Sequence, residues 1–234
     1  KIGFRENLFQ AYFQPIVDTK TKEIYKYEAL IRYITKEGVE IAPYHFINVA
    51  KKTKLYPNII KIVIQDSFKL IKNKNKRVSV NISFDDIAND ETTAFIYEIL
   101  EQNKDCTQFL EFEILESEEI SDFNEVSKFI SEIKKFNCIV GVDDFGAGYS
   151  NFNLLTLLDI DFVKIDGSLI EKINTSKDLE IIVNTIANFS KEFKVKTVAE
   201  YVSNEDIYTK IKELNIDYCQ GYYFEKPLSY DSIK

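Results

Sequence analysis

The stretch AYFQPIVDTKTKEIYKYEALIRY, residues 11–33, decides the fold. Two β-rich runs, AYFQPIVD (11–18) and IYKYEALIRY (24–33), are joined by TKTKE alone. No helix fits in that connection. Parallel neighbours need a crossover of about a dozen residues or more, whereas an antiparallel pair needs only a turn. The first two strands are therefore predicted to run antiparallel.

Further along, the pattern changes. Short β-rich runs recur at RVSVNIS (77–83), FLEFEIL (109–115), CIVGVDD (138–144), DFVKID (161–166), KTVAE (196–200) and DYCQGYYF (217–224). Stretches of helical periodicity lie between most of them, for example over 58–71, 122–136 and 179–189. Eight strand-like runs, mostly followed by helices, point to an α/β fold of the TIM-like (β/α)8 barrel type, made irregular by the antiparallel start. An open doubly wound sheet is the competing architecture, but no glycine fingerprint supports it. No Pro/Gly/Ser-rich linker interrupts the series, so residues 1–234 read as one domain.

Composition narrows the function. The net charge of −8 argues against DNA or RNA as the main partner. Cys106, Cys138 and Cys219 form no C-x-x-C pair, which fits a reduced, cytoplasmic chain with cysteines as small buried apolar residues. No apolar run is long enough to cross a bilayer. The chain starts KIGFREN and contains no Met, which suggests a domain excised from a larger protein.

The chemistry shows at the strand ends. Apolar runs carry polar residues at or near their C-terminal ends: Glu28, Asn81, Glu113, Asp143 with Asp144, Lys164 with Asp166, Glu200 and Gln220. A barrel brings those ends together on the face where active sites are built. Singly, each such residue is more often a turn former or half of a surface ion pair; the repetition along the chain outweighs that reading. Carboxylates with an amide oxygen are hard ligands suited to Mg²⁺ or Mn²⁺. Zinc is disfavoured, since His45 lies outside this set and the cysteines lack zinc spacing. So many carboxylates at one mouth demand cations, and two divalent ions sharing a bridging carboxylate would activate water for phosphoryl displacement. Asp143 and Asp144 pose a geometric problem, because neighbours on a regular strand face opposite ways. Both reach one site only if the strand ends there and the chain turns, a turn expected to use Gly146 and Gly148.

YFQPIV (12–17), EALIR (28–32), VNIS (80–83), EILE (113–116), DDFGAGYS (143–150), VKIDGSLI (163–170), VAE (198–200) and QGYYFEKPL (220–228) together resemble the EAL-domain cyclic di-GMP phosphodiesterases over essentially the whole chain. The resemblance implies a barrel with one antiparallel strand and hydrolysis of cyclic di-GMP to linear pGpG with Mg²⁺ or Mn²⁺. It implies that Glu28, Asn81, Glu113 and Asp143 hold one metal. Asp143 would bridge to a second, completed by Asp144 and Glu200. Lys164 would orient water or phosphate, Asp166 would support it or reach a metal through water, and Gln220 would position water or substrate. Glu200 is a further candidate for general base. Gln14, Leu30, Arg32 and Pro227 would contact substrate. Glu116 would anchor the loop of Gly146 and Gly148, which couples metal binding to dimerisation, so a homodimer is expected. Sensor or diguanylate-cyclase-like modules are expected as companion domains, with a membrane anchor elsewhere in the full-length protein an open alternative. Two residues depart from the usual AEGVE pattern: Tyr201 and Ser203 stand in AEYVS. A catalytically silent cyclic di-GMP receptor is the alternative function, disfavoured because every mapped ligand is retained.

Overall fold

The computed structural model describes residues 8–51, 56–115, 123–146, 152 and 154–234. Strand β1 (Phe9–Asp18) and strand β2 (Ile24–Ile34) pair antiparallel, with Gln14 opposite Glu28. The turn between them is fixed by Asp18, whose carboxylate accepts from the backbone N–H groups of Lys20 and Thr21 at 2.8 and 2.9 Å. A two-residue strand, β3 (Glu40–Ile41), extends β2 outside the barrel.

The remaining strands are β4 (Val78–Ile82), β5 (Leu110–Leu115), β6 (Ile139–Phe145), β7 (Phe162–Ile165), β8 (Lys196–Ala199) and β9 (Tyr218–Gln220). They follow β2 in parallel, and β9 closes the ring by pairing antiparallel with β1. The barrel thus has eight strands with β1 alone reversed, as the short first connection predicts.

The longer helices are α1 (Tyr56–Lys74), α2 (Asp90–Gln102), α3 (Phe123–Lys134), α4 (Lys177–Glu192) and α5 (Glu205–Glu213). Their apolar stripes pack on the barrel. On α1 the buried set includes Ile60, Val63, Ile64, Ser67 and Ile71, at the three- and four-residue spacing of one helix face. On α3 it is Val126, Phe129, Ile130 and Ile133. Side chains cap the starts of α2, α4 and α5: Asn89, Ser176 and Asn204 accept from backbone N–H groups of the first turns. The expected helical stretches over 58–71 and 179–189 lie inside α1 and α4. All three cysteines are buried and unpaired.

Several strand ends shift by a residue or two from expectation, and two of the differences have clear reasons. The run DYCQGYYF was expected to extend to residue 224, but β9 stops at Gln220. Gly221 lies so close to Val202 that a Cβ would fall 2.0 Å from the Val202 carbonyl oxygen, and the chain turns there. The run ending at Asp144 continues instead to Phe145 through an irregularity in the β6–β7 register.

Inside the barrel, Phe162 fills the space left by Gly141. A Cβ on Gly141 would lie 2.3 Å from the Phe162 ring, and the ring in turn carries the Lys26 ammonium 3.5 Å from its centroid. Gly141→Ala is therefore expected to destabilise the protein by roughly 1–3 kcal/mol, as overpacking of a filled core does. Urea unfolding measures this, and the double variant G141A/F162L should recover part of the loss. An unchanged midpoint for Gly141→Ala would contradict the packing.

Candidate active site

Alternation along the strands builds the site. Residues two apart share a face, so Lys26 and Glu28 on β2 both enter the barrel, as do Glu111 and Glu113 on β5. Lys164 of β7 stands at the centre, 1% exposed. Its ammonium lies 3.2 Å from Glu28 Oε2, 3.1 Å from Glu113 Oε2, 3.1 Å from Asp143 Oδ1 and 2.6 Å from Glu200 Oε1. Glu28 is held further by Asn81, whose Nδ2 donates to Oε1 at 2.6 Å, and by Gln220, whose Nε2 donates to Oε2 at 2.8 Å.

Asp143 and Asp144 reach the same place by a device other than the expected one. Asp144 itself adopts a left-handed backbone, φ 57°, inside β6. Together with the register irregularity this is a bulge, which re-aims side chains next to a site. The glycines were expected to make the turn. Gly146 has φ 101° and follows the bulge, while Gly148 and Glu116 lie outside the described residues. Among the described residues, the carboxylates form two triads with ligand atoms within 4.8 Å of one another: Glu28, Glu113 and Asp143, and Asp143, Asp144 and Glu200. Asp143 belongs to both.

The electrostatics follow from one ammonium among these acids. Burial would lower the Lys164 pKa, but Asp143, Glu113, Glu200 and Glu28 win and raise it well above its ordinary value. Burial raises Asp143 well above the carboxylate range, with the surrounding carboxylates adding to the shift against Lys164. Burial lifts Glu200 to about 7, opposed by Lys164. It also raises Asp144, with Asp166 reinforcing. Glu113 goes the other way: burial would raise it, but Lys164 on one side and Lys26 on the other hold it below its usual value.

An oxygen-ligated metal fits these residues. A lysine has three N–H donors, too few for four carboxylates in good geometry. Glu113 Oε2 and Asp143 Oδ1 feel the ammonium charge yet receive no aligned hydrogen bond, and Asn81 Oδ1 and Gln220 Oε1 are likewise buried without a hydrogen-bond partner. Buried oxygens are rarely left so. These orphaned atoms are hard donors of the kind divalent cations take.

Other anticipated residues are placed differently. Gln14 donates from Nε2 to the Glu225 carbonyl at 3.3 Å and, with Leu30, lines a cavity of about 260 Å³ beside Glu28, Glu200 and Gln220. Leu30 also borders a second cavity of about 280 Å³, which reaches Asn81 and Asp143. Arg32 lines neither cavity: its Nε donates to Glu40 Oε1 at 2.7 Å and its Nη1 to the Ile31 carbonyl at 3.0 Å. Pro227 precedes Leu228, which exchanges backbone hydrogen bonds with Phe13; it too lines neither cavity. Asp166 caps the short helix Gly167–Glu171, accepting from the Ser168 N–H at 2.9 Å, and joins neither acidic triad.

Sequence reasoning passed over Lys26 and Glu111. Lys26 Nζ lies 2.7 Å from Glu111 Oε2 and 3.3 Å from Glu113 Oε1, all three side chains buried, and Arg77 reaches Glu111 at 3.3 Å. Their signal was the two-residue spacing from Glu28 and Glu113 on the same strands.

A family model described as "EAL domain" matches residues 2–227. The chain belongs to the EAL domain family. It is 30% identical over 230 residues to "Cyclic di-GMP phosphodiesterase PdeA" of Borreliella burgdorferi, covering 96% of this chain and 34% of that protein. The chain spans 34%, 27% and 28% of the lengths of three of the curated relatives it matches. Among solved structures it is similar to an EAL domain protein from Listeria monocytogenes EGD-e, with TM-score 0.91 and 31% identity, covering 100% of this chain and 94% of that one. It is similar also to "EAL Enzyme Bd1971" in its cAMP- and cyclic-di-GMP-bound form, with TM-score 0.85 and 25% identity, covering 98% of this chain and 65% of that one. No helix among the described residues is long and apolar enough to cross a membrane.

Two predictions come from this EAL site. Lys26→Met strips one cation from two buried carboxylates and is expected to cost roughly 3–5 kcal/mol. Urea denaturation reads it; a loss under about 1 kcal/mol would contradict the buried network. The second concerns pH. Glu200 ionises near 4.5 when unfolded and at about 7 when folded. Between those values the folded state holds a proton that the unfolded state lacks, so stability falls as pH rises. The metal-free protein should therefore lose melting temperature from about pH 5 to pH 7 through this group, and Glu200→Gln should flatten that decline. A Glu200→Gln profile as steep as wild type would contradict it.

Proposed function

We propose that this EAL domain hydrolyses one phosphodiester of cyclic di-GMP to linear pGpG, using Mg²⁺ or Mn²⁺. The observation that carries the reading is the pair of acidic triads sharing Asp143, with buried oxygens left without hydrogen-bond partners. Glu28, Asn81, Glu113 and Asp143 would hold one ion, and Asp143, Asp144 and Glu200 the other. Such a pair supplies Lewis acidity, lowering the pKa of a water and neutralising phosphate charge.

The chain's own residues do the rest. Lys164 brings a buried positive charge to the place where negative charge develops on the phosphate oxygens. Glu200 is the carboxylate that would join Asp143 and Asp144 at the second ion; its raised pKa of about 7 belongs to the metal-free site, and a bound cation would hold it ionised. Gln220 keeps Glu28 oriented through its amide N–H, and its own carbonyl oxygen is buried without a hydrogen-bond partner. Asp166 fixes the chain directly after β7, and so the approach of Lys164. Two cavities meet at Leu30 on either side of the acidic cluster. That layout suits a diester with a base at each end. The names of the relatives agree: one similar protein is called a cyclic di-GMP phosphodiesterase, and Bd1971 was solved with cyclic di-GMP bound. The lengths of those relatives support a further reading, that this domain works inside a longer signalling protein.

The test is direct. Purified protein is incubated with cyclic di-GMP and Mg²⁺ or Mn²⁺, and the nucleotides are separated. The expected product is pGpG, and Glu28→Ala should lower turnover by at least about a hundredfold, since it removes a ligand rather than its support. Binding with no pGpG formed would instead identify a silent receptor.

A further inference from the structure

One residue beside the acidic cluster is held in a backbone conformation that its type disfavours. Tyr201 follows Glu200 and has φ 57°. Among the described residues, the other non-glycine residues with positive φ are Asn, Asp or Lys. Asn and Asp tolerate that region; a bulky aromatic there is an outlier. Strain of this kind persists where the surroundings impose it, and it collects at functional sites.

The surroundings here are a glycine and a cavity. A Cβ added to Gly167 would lie 2.7–2.9 Å from Cβ, Cγ and Cδ2 of Tyr201, so the tyrosine is seated directly on the Gly167 backbone. The strain does not serve to bury the ring, which is 69% exposed. Tyr201 instead forms part of the wall of the 260 Å³ cavity, along with Glu28, Glu200, Gln220 and a second exposed aromatic, Tyr222.

The lining identifies the chemistry of the ligand group. Among the described residues its wall carries no Lys or Arg, so away from the metal-holding Glu28 and Glu200 it does not suit a phosphate. It offers aromatic surface, an aliphatic Leu30 and the amides of Gln14 and Gln220. A planar base matches this mixture, with a π-face for the ring and edge groups for the amides. Resting on the proposed cyclic di-GMP hydrolysis, we propose that Tyr201 is the stacking platform for one guanine of the substrate and so a specificity-determining residue. The left-handed backbone and the Gly167 seat hold its ring in place before substrate arrives.

Tyr201→Gly separates this role from a structural one, because glycine accepts φ 57° without strain. The variant should melt at or above the wild-type temperature. Its KM for cyclic di-GMP should rise roughly ten- to a hundredfold, the scale of one lost base stack, with kcat changing far less. Tyr201→Phe should restore a KM near wild type. The chain contains no Trp, so Tyr201→Trp supplies a single reporter, whose fluorescence cyclic di-GMP should quench in EDTA without turnover. A Tyr201→Gly KM within about twofold of wild type, or indole fluorescence of the Tyr201→Trp variant left unquenched by saturating cyclic di-GMP, overturns the platform. Wild-type protein that forms no pGpG overturns the proposed reaction instead, and the quenching measurement still decides the stacking.

Discussion

Everything at the mouth of this barrel depends on one buried ammonium. Lys164 sits within 3.2 Å of four carboxylates contributed by four strands or their ends. Attraction at that distance and repulsion between neighbouring carboxylates are of the same order in a protein, several kcal/mol per pair. One cation therefore gathers the acids without satisfying them. The remaining imbalance shows as raised proton affinity on Asp143 and Glu200, and as buried oxygens with no hydrogen-bond partner. A site in this condition favours added positive charge, which is the physical basis for reading it as a metal centre.

The fold supplies the gathering in layers. Phe162, admitted by Gly141, floors the barrel, and Lys26 rests on its ring. Lys26 neutralises Glu111 and the inner oxygen of Glu113, so the outer oxygen is left to face Lys164. The charges thus alternate up the barrel axis, and the last layer is acidic. Reversal of β1 contributes too. It sets Gln14, which lines the first cavity, opposite Glu28 and lets β1 carry the returning segment around Leu228.

Much of this was legible in the sequence, and the misses have physical causes. The TKTKE connection fixed the reversed strand because chain length alone forbids a crossover. Glu28, Asn81, Glu113, Asp143, Lys164, Glu200 and Gln220 stood out because strand ends converge, and their side chains do come together. Attention to strand ends also hid Lys26 and Glu111, which lie one inward-facing position deeper. Asp143 and Asp144 were recognised as sharing a site, but the bend was assigned to glycines. A bulge is a property of the pairing between strands, and one strand's sequence does not display it. Arg32 was read as free to meet a phosphate; its partner Glu40 lies on a two-residue strand too short to leave a periodic signal. The strain at Tyr201 was visible only as an odd residue, since its meaning requires Gly167, which opens the short helix after β7.

Asp143 belongs to both acidic triads, and in the proposed reaction it would join two cation sites into one. Electron paramagnetic resonance of the protein titrated with Mn²⁺ tests it most directly, independently of turnover. The expected result is two bound Mn²⁺ per chain with the spectrum of a spin-coupled pair, and loss of the coupling in Asp143→Ala. Two magnetically isolated ions, or an Asp143→Ala spectrum identical to wild type, would contradict it.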